Sequence, residues 1–265
     1  MKKKIAVIGT GFVGQAFIKF IGDNFLFITY DINDNTEYPK KEIDSCDLAV
    51  ICVQTPMNND GSCNISYVEN AISKIDTPLI MIKSTIPPGT TDKLIKSTGK
   101  HIVFSPEYIG ESKYFNPIYK SMKEIPFNIV GGNHVDVKKV FEILENISGP
   151  YCVYYACSAV EAEIIKYMEN SFFATKVAFT NQFYDIAKIY NANWHKIREG
   201  WLLDERIGRG HTTVFADNRG FSGKCLPKDI SAITKAAEDN GYTPGILRAV
   251  IDYNNQLRKD INNKE

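Results

Sequence analysis

The sequence has little of what marks several classes of protein. Among its 265 residues are only four histidines, and its six cysteines form no CxxC pair, so we predict neither a metal site nor a secreted disulfide framework. Basic and acidic residues balance at 31 each, so no overall charge attracts nucleic acid or an anionic membrane. No apolar run approaches the ~20 residues of a membrane span. The N-terminal lysines precede no signal-peptide core, and together these absences predict a cytoplasmic protein.

The order of the apolar segments predicts an α/β fold. Short strand-like runs alternate with helix-compatible stretches, and five of them stand out: Lys4–Ile8, Phe25–Tyr30, Leu48–Val53, Leu79–Ile82 and Ile102–Phe104. This alternation is typical of a parallel sheet that is covered on both faces. We therefore predict an N-terminal Rossmann-type domain with a parallel sheet over residues 1–157.

A different pattern begins at Ser158. Ser158 and Glu161 have the spacing of a capping box, and a stretch without glycine or proline then continues to about Tyr190. A helix of some thirty residues would be about 50 Å long, well beyond the average. We predict that it begins a second, all-helical domain over residues 158–265, which also mediates dimerisation.

A dinucleotide fingerprint, Gly9-x-Gly11-x-x-Gly14, connects the first predicted strand to a helix that includes Phe12 and Val13. Asp31 ends the second predicted strand, where a carboxylate can bind both hydroxyls of an adenosine ribose. No Lys or Arg lies within eight residues after Asp31 to receive a 2′-phosphate, which favours NAD over NADP. A flavin, or a glycine turn that binds nothing, is the alternative.

A glycine-rich segment near the C-terminus contains a candidate nucleophile. In Gly220–Asp229, Cys225 lies between Lys224 and Lys228. Glycines allow the backbone to approach a ligand closely, and neighbouring cations favour the thiolate form of a cysteine. The alternative is a buried structural cysteine.

Three further segments carry polar residues where a site is expected. Val53–Pro56, Ser84–Thr91 and Ser105–Glu111 each follow a predicted strand, and ligands of α/β proteins bind at the carboxyl edge of the sheet. Lys166 and Asn170 are four residues apart on the predicted long helix and therefore share one face. The alternative is that Lys166 is a solvated helix lysine and Asn170 an ordinary amide of the helix surface.

With these residues in view, the chain resembles the UDP-glucose/GDP-mannose dehydrogenase family. Six motifs carry the resemblance in the order found in the family: GTGFVG, KSTIPPGTT, SPEYIGE, AEIIKYMENSFFATKVAFTN, DERIG and GFSGKCLPKD. They extend over nearly the whole chain. The resemblance implies oxidation of a sugar primary alcohol to a carboxylate in two NAD-dependent steps. It makes Cys225 the nucleophile that forms a thiohemiacetal and then a thioester, which water hydrolyses.

The resemblance also implies roles for individual residues. The catalytic set is Cys225, Lys166, Asn170, Asp229, Glu111 and Thr85. The NAD-binding set is Gly9, Gly11, Phe12, Val13, Gly14, Asp31, Thr55, Thr85 and Glu111. The substrate-binding set is Glu107, Tyr108, Lys166, Asn170, Arg206, Gly220 and Lys228, with Arg206 contributed by the partner subunit of a homodimer.

Some positions depart from the family pattern. Gly110 and Asn128 stand where the family usually has arginines, Ser222 replaces a glycine, and Gln182 replaces a glutamate. The family's third domain, which binds the nucleotide of the sugar nucleotide, is expected to be missing after Glu265. The departures leave the substrate open: UDP-glucose, another nucleotide sugar or a smaller related alcohol.

Two other functions remain compatible with the sequence. One is a non-catalytic NAD-binding relative. The other is a two-electron dehydrogenase of the β-hydroxyacid type, which shares the domain plan and a catalytic lysine with a nearby asparagine but does not need the cysteine.

Overall fold

The computed structural model of the chain describes residues 2–34, 37–110 and 121–262, with side chains up to residue 259. The described chain divides into two compact units. The first comprises residues up to Pro56 together with Cys63–Lys166, and the second comprises Met57–Ser62 and the residues from Tyr167 onward.

The first unit contains one sheet of seven described strands. They are β1 (Lys4–Ile8), β2 (Leu26–Tyr30), β3 (Leu48–Ile51), β4 (Ile80–Ile82), β5 (Ile102–Phe104), β6 (Phe127–Gly131) and β7 (Val153–Cys157). Their order is β2-β1-β3-β4-β5-β6-β7. All neighbouring pairs are parallel except β5 and β6, which pair antiparallel where Phe104 meets Gly131. The predicted Rossmann-type parallel sheet is therefore confirmed.

Helices cover both faces of this sheet. They are α1 (Phe12–Ile21), α2 (Lys40–Asp44), α3 (Ser66–Lys74), α4 (Thr90–Thr98) and α5 (His134–Ser148), with short 3-10 turns at Gly22–Asn24, Ile32–Asp34 and Met122–Glu124. Because alternate residues of a strand point to opposite faces, Ile5 and Val7 of β1 pack with α1 and α5. Ala6 and Ile8 pack on the other face with α2, α3 and α4. Burial on both faces explains why β1 is an unbroken apolar run.

The second unit is helical in its described residues. It contains most of α6 (Ala159–Ile189), together with α7 (Trp194–Trp201), a 3-10 turn at Glu205–Ile207, α8 (Leu226–Asp239) and α9 (Gly245–Asn262). Its core joins α6, α8 and α9, and its buried members are Ala174, Val177, Ala178, Phe221, Ile230 and Val250. The predicted helical segment that begins with a long helix is thus confirmed.

The start of α6 is the predicted capping box. The Ser158 backbone N–H and hydroxyl donate to the Glu161 carboxylate, both at 2.7 Å, and the Glu161 N–H donates back to Ser158 Oγ at 3.3 Å. The sequence predicts a domain boundary at this point, between residues 157 and 158. The compact units instead divide inside α6, between Lys166 and Tyr167, because the first two turns of the helix pack on the sheet of the first unit.

The contact between β6 and the start of α6 leads to a stability prediction. A Cβ atom on Gly131 would lie 2.5 Å from the Ser158 carbonyl oxygen and 2.6 Å from Ala162 Cβ. We expect Gly131→Ala to lower the free energy of unfolding by about 1–3 kcal/mol, as overpacked cores do. Urea denaturation followed by circular dichroism measures the difference.

Gly200→Ala is the matched control, since Gly200 lies in α7 with open space around its Cα. It should leave stability unchanged or raise it by up to about 1 kcal/mol. Equal stability of the two variants would contradict the close approach of α6 to β6.

Candidate active site

The parallel sheet brings the sequence-predicted residues of the first unit to one edge. Five neighbouring parallel strands end there, and the chain places the dinucleotide loop, Asp31, Thr55, Thr85 and Glu107 directly after β1, β2, β3, β4 and β5. The strand order reverses at β1, because β2 adds on one side of it and β3 on the other. Such a switch point opens a crevice at the carboxyl ends of the strands, where α/β proteins bind nucleotides.

Two glycines of the dinucleotide loop are closely packed against backbone atoms, and the third has open space around it. Gly9 has a φ of +91°, and a Cβ there would lie 2.8 Å from the Cys52 backbone. A Cβ on Gly14 would lie 1.9 Å from the Gly9 carbonyl oxygen. Gly11 has no neighbouring atom within 4 Å of its Cβ position. Internal packing therefore explains Gly9 and Gly14, whereas Gly11 leaves room for a ligand.

The helix that follows is suited to a phosphate. Helix α1 begins at Phe12 without a side-chain cap, and Phe12 is exposed while Val13 is half-buried. The first backbone N–H groups of a helix have no partner inside the helix and attract anions. With Gly11 open beside them, these groups fit the pyrophosphate of a dinucleotide.

Asp31 is fixed at the end of β2 by its own neighbours. Its Oδ2 accepts from the Thr10 backbone N–H at 2.8 Å, and its Oδ1 accepts from the Asn33 backbone and side chain at 3.0 and 2.8 Å. Partial burial alone would raise the pKa of Asp31, but these hydrogen bonds outweigh it and hold the pKa below its usual value. An ionised, oriented carboxylate at this position fits the diol of an adenosine ribose.

The loops after β3 and β4 are joined to each other. Ser84 Oγ donates to the Val53 carbonyl oxygen at 2.6 Å, and Cys63 Sγ lies 3.7 Å from the Thr85 carbonyl oxygen. Thr55 is buried and Thr85 half-buried. The structure thus places the two predicted threonines on adjoining, mutually supported loops.

The loop after β5 contains a buried carboxylate. Glu107 Oε1 accepts from the backbone N–H groups of Tyr108 and Ile109 at 2.7 and 2.8 Å, and Glu107 Oε2 lies 3.6 Å from Lys83 Nζ. The ring of Tyr108 in turn lies 5.2 Å from Lys166 Nζ, a cation–π distance. Glu111, predicted as a catalytic and cofactor-binding residue, lies outside the described residues.

Glu163 is a structural member of this region that sequence reasoning missed. It is fully buried on α6, three residues before Lys166, and it accepts from the backbone N–H groups of Gly89 and Thr91 at 2.5 and 2.9 Å. Burial raises the pKa of Glu163, and the hydrogen bonds offset part of that rise. The carboxylate caps α4 and fixes the proline-rich turn after Thr85. The only sequence signal for Glu163 is its position three residues before Lys166, which places both side chains on one side of the helix.

In the second unit, α8 brings three predicted residues together. Cys225 is exposed and is the N-cap residue of α8, and Lys228 and Asp229 lie in the first turn of that helix. Asp229 is 1% exposed, and it accepts from Lys228 Nζ and from Asn170 Nδ2 of α6, both at 2.5 Å. A thiol at a helix N-terminus lies at the positive end of the helix dipole, which favours the thiolate.

Two residues outside the predicted set hold the start of the glycine-rich segment Gly220–Asp229, which contains Cys225. Arg219 donates to Asn181 at 2.6 Å and pairs with both oxygens of Asp185, at 2.9 and 2.8 Å. Asn254 of α9 accepts from the Phe221 N–H at 2.7 Å and donates to its carbonyl oxygen at 3.1 Å. A Cβ at the intervening Gly220, a predicted substrate contact, would lie 2.5 Å from Asn254 Oδ1. Neither Arg219 nor Asn254 carries a sequence signal, since amides and arginines are common on helices and loops.

Arg206 lies apart from this network. Its side chain is 88% exposed and pairs with Asp204, two residues earlier. Lys176 of α6 supports the same loop by donating to the carbonyl oxygens of Ile207 and Gly208, both at 2.7 Å. The substrate-binding role of Arg206 in the partner's site stays a prediction.

The described residues contain no group of three or more His, Cys, Asp or Glu side chains arranged to hold a metal ion. No helix among them is both long and apolar enough to cross a membrane.

The geometry of Asp31 gives a binding prediction. Removing the carboxylate in Asp31→Ala should weaken NAD binding about ten- to a hundredfold, the equivalent of one or two hydrogen bonds to a charged group. It should also reduce the preference for NAD over NADP, because the negative charge that repels a 2′-phosphate is lost. Isothermal titration with both cofactors measures this. Asp34→Ala, a nearby exposed aspartate, is the control and should bind like the wild type; equal losses in the two variants would disprove the role of Asp31.

Comparison with known proteins agrees with this geometry. Residues 31–147 match the NAD-binding domain of the UDP-glucose/GDP-mannose dehydrogenase family, and residues 160–256 match its central domain. The chain is 33% identical to UDP-glucose 6-dehydrogenase of Rickettsia felis over 83% of its own length and 50% of that protein. It is 32% identical to UDP-glucose 6-dehydrogenase TuaD of Bacillus subtilis over 84% of its length and 49% of that protein.

The fold is also that of a solved relative. A UDP-glucose dehydrogenase from the archaeon Pyrobaculum islandicum superposes with a TM-score of 0.83 at 24% identity, over 97% of this chain and 68% of that one. The chain spans about half the length of the curated relatives it matches. The two domain matches follow each other in the family's order, and the first is an NAD-binding domain. The chain therefore belongs to the UDP-glucose/GDP-mannose dehydrogenase family.

Proposed function

We propose that the protein oxidises the primary alcohol of a nucleotide sugar to a carboxylate, with NAD as the oxidant and Cys225 as the covalent nucleophile. UDP-glucose is the first candidate substrate, because the relatives described above are UDP-glucose dehydrogenases. One observation carries the proposal: an exposed cysteine at the N-terminus of α8 lies one helical turn from a buried Asp229 held by Asn170 and Lys228. A scaffold protein has no need of a buried, multiply bonded carboxylate beside an exposed thiol.

The reaction has two oxidations joined by a covalent step. NAD held at the dinucleotide loop and Asp31 would supply the hydride acceptor for both oxidations. The alcohol first loses a hydride and a proton and becomes an aldehyde. The Cys225 thiolate then adds to the carbonyl carbon, forming a C–S bond and an oxyanion that is protonated to the thiohemiacetal. Loss of a second hydride and a proton gives a thioester, and water cleaves its C–S bond to release the carboxylate and the thiol. One alcohol therefore yields two NADH.

The polar and charged side chains of the proposed site have distinct tasks in this scheme. The Lys166 ammonium and the Asn170 amide stabilise the oxyanion as it develops, and such donors are worth about 10²–10³ in rate. Asp229 orients Asn170, because its own oxygens are already occupied by Asn170 and Lys228. Thr85 positions water for the hydrolysis.

Glu107 is a better candidate than Asp229 for the general base that receives a proton from water. Its Oε1 accepts hydrogen bonds from two backbone N–H groups, whereas Oε2 makes no hydrogen bond with the residues that the structure describes. A base must have an oxygen that can receive a proton, and Glu107 meets that condition where Asp229 does not. The orphaned oxygen is also an unusual feature for a buried carboxylate whose role is only structural.

We further propose that the protein is a homodimer formed through α6. Large apolar side chains lie exposed along the helix at helical spacing: Met168, Phe172, Phe179, Phe183 and Ile186. A contiguous apolar stripe of this kind marks an interaction surface, and a second copy of the chain is its proposed occupant. Dimerisation would also bring the exposed Arg206 to the partner's site, as the predicted role of this residue requires.

The first prediction tests the covalent step. Purified protein with NAD and a nucleotide sugar should form two NADH per substrate consumed, as measured by NADH absorbance and product analysis. Cys225→Ala should bind NAD normally and lose turnover by at least about a thousandfold, because no thioester can form. Cys157→Ala, a cysteine of strand β7, is the control and should retain activity.

Two other outcomes would indicate the competing functions. Full activity of Cys225→Ala with one NADH per substrate would indicate a two-electron dehydrogenase of the β-hydroxyacid type. NAD binding without turnover on any alcohol of the panel would indicate a non-catalytic NAD-binding protein.

The second prediction tests the dimer. Arg206→Ala and Cys225→Ala should each be inactive alone, but a mixed dimer contains one site with both residues intact if Arg206 acts in the partner's site. Equal mixing after reversible dissociation should recover roughly a quarter of wild-type activity, since half of the dimers are mixed and half of their sites are complete. Mixed dimers that are isolated by two affinity tags and remain inactive would refute this role.

A further inference from the structure

The carboxylate of Asp31 accepts four hydrogen bonds from residues that the structure describes. Its Oδ2 accepts from the Thr10 backbone N–H at 2.8 Å and from Thr10 Oγ1 at 3.3 Å. Its Oδ1 accepts from the Asn33 backbone N–H at 3.0 Å and from Asn33 Nδ2 at 2.8 Å. Because a carboxylate has about four lone-pair sites, these donors fill its capacity. An adenosine ribose that binds here through its hydroxyls therefore has to displace donors that are already in place.

These donors differ in whether they can move. The two backbone N–H groups belong to the dinucleotide loop and to the 3-10 turn Ile32–Asp34, and each binds a different oxygen of Asp31. The two side-chain donors can rotate away, and Asn33 is exposed. Burial raises the pKa of Asp31, and the two backbone donors oppose that rise more strongly than the two side-chain donors do. The backbone donors therefore suffice to orient the carboxylate.

The Asn33 amide makes the stronger of the two displaceable bonds. It lies 2.8 Å from Asp31 Oδ1, whereas the Thr10 hydroxyl lies 3.3 Å from Oδ2, and shorter bonds to a charged acceptor are stronger. A ribose hydroxyl that donates to Oδ1 takes the lone pair that this amide occupies. Binding then gives up the net strength of the amide bond relative to a bond with water, and the affinity for the ribose falls by that amount.

We infer that the Asn33 side chain occupies the place of a ribose hydroxyl on Asp31 and competes with the dinucleotide, which keeps the cofactor exchangeable. This inference rests on NAD as the oxidant of the proposed function. The sequence has one dinucleotide fingerprint, whereas the proposed reaction removes two hydrides. NADH must therefore leave and NAD must enter between the two oxidations. A ribose that is held less tightly leaves faster, because affinity differences between related complexes arise mostly in dissociation.

The test compares Asn33→Ala with the wild type by isothermal titration. The variant keeps the backbone N–H that orients Asp31 and loses only the amide. NAD, NADH and ADP-ribose should therefore each bind about two- to tenfold more tightly, the equivalent of one net hydrogen bond. ADP with a 2′,3′-dideoxyribose lacks both hydroxyls and should bind the two proteins equally. Asn70→Ala, which changes an exposed asparagine of α3, is the matched control and should bind every ligand like the wild type.

Two further measurements distinguish competition from a general change of the loop. In the Asp31→Ala background, Asn33→Ala should change the affinity for NAD by less than about twofold, because the amide then has no carboxylate to occupy. Release of NADH, followed by its fluorescence in a stopped-flow experiment, should be slower in Asn33→Ala by the factor that the affinity gains. A loop that had merely loosened would instead bind NADH more weakly and release it faster.

The outcomes separate this inference from the proposed function. Unchanged or weaker binding of NAD to Asn33→Ala overturns the inference, and so does a gain in affinity that persists with the dideoxy ligand. If Asn33→Ala binds NAD more tightly but the wild type oxidises no nucleotide sugar, the inference stands and the proposed function fails. A wild-type protein that binds neither NAD nor ADP-ribose overturns both.

Discussion

The conformation of both units depends on the cost of burying charge. Asp229, Glu163 and Glu107 are carboxylates with less than a tenth of their surface exposed, and an unmatched charge in such a place costs several kcal/mol. Each is therefore surrounded by fixed donors: Asn170 and Lys228 for Asp229, backbone N–H groups for Glu163, and backbone N–H groups with Lys83 for Glu107. Because these donors come from different segments, each carboxylate also sets the position of a loop or helix that carries a candidate functional residue.

These three carboxylates differ in how completely they are bonded, and the difference suggests what each one does. Asp229 and Glu163 accept at both oxygens from neighbouring groups, which suits them to hold other parts in place. Glu107 has one oxygen that accepts from two backbone N–H groups and one that lies 3.6 Å from the Lys83 ammonium without a hydrogen bond among the described residues. A proton acceptor needs this second arrangement, because a fully bonded carboxylate must lose an existing hydrogen bond before it can receive a proton.

The candidate site is also an outcome of sheet topology. In a parallel sheet each connection returns the chain to the starting edge, so five strands deliver the dinucleotide loop, Asp31, Thr55, Thr85 and Glu107 to one edge although they are spread over a hundred residues. Packing then fixes the details. Gly9 and Gly14 are required by the backbone around them, while Gly11 is left open, and this difference separates the structural glycines of the loop from the one that admits a ligand.

The sequence by itself determined the parallel sheet, the long helix with its Ser158–Glu161 cap and the family, because each rests on local periodicity, spacing or contiguous motifs. It also indicated Cys225 and Asp31, since their immediate neighbours reveal their chemistry. Only the tertiary structure decided that Glu163 caps α4, that Arg219 and Asn254 hold the start of the segment Gly220–Asp229, and that Lys83 pairs with Glu107. These contacts join residues 24 to 74 positions apart, and no local pattern in a single sequence specifies which distant polar groups share a buried site. The division of the units inside α6 has the same origin, since the helix is continuous in sequence and only its packing partners change.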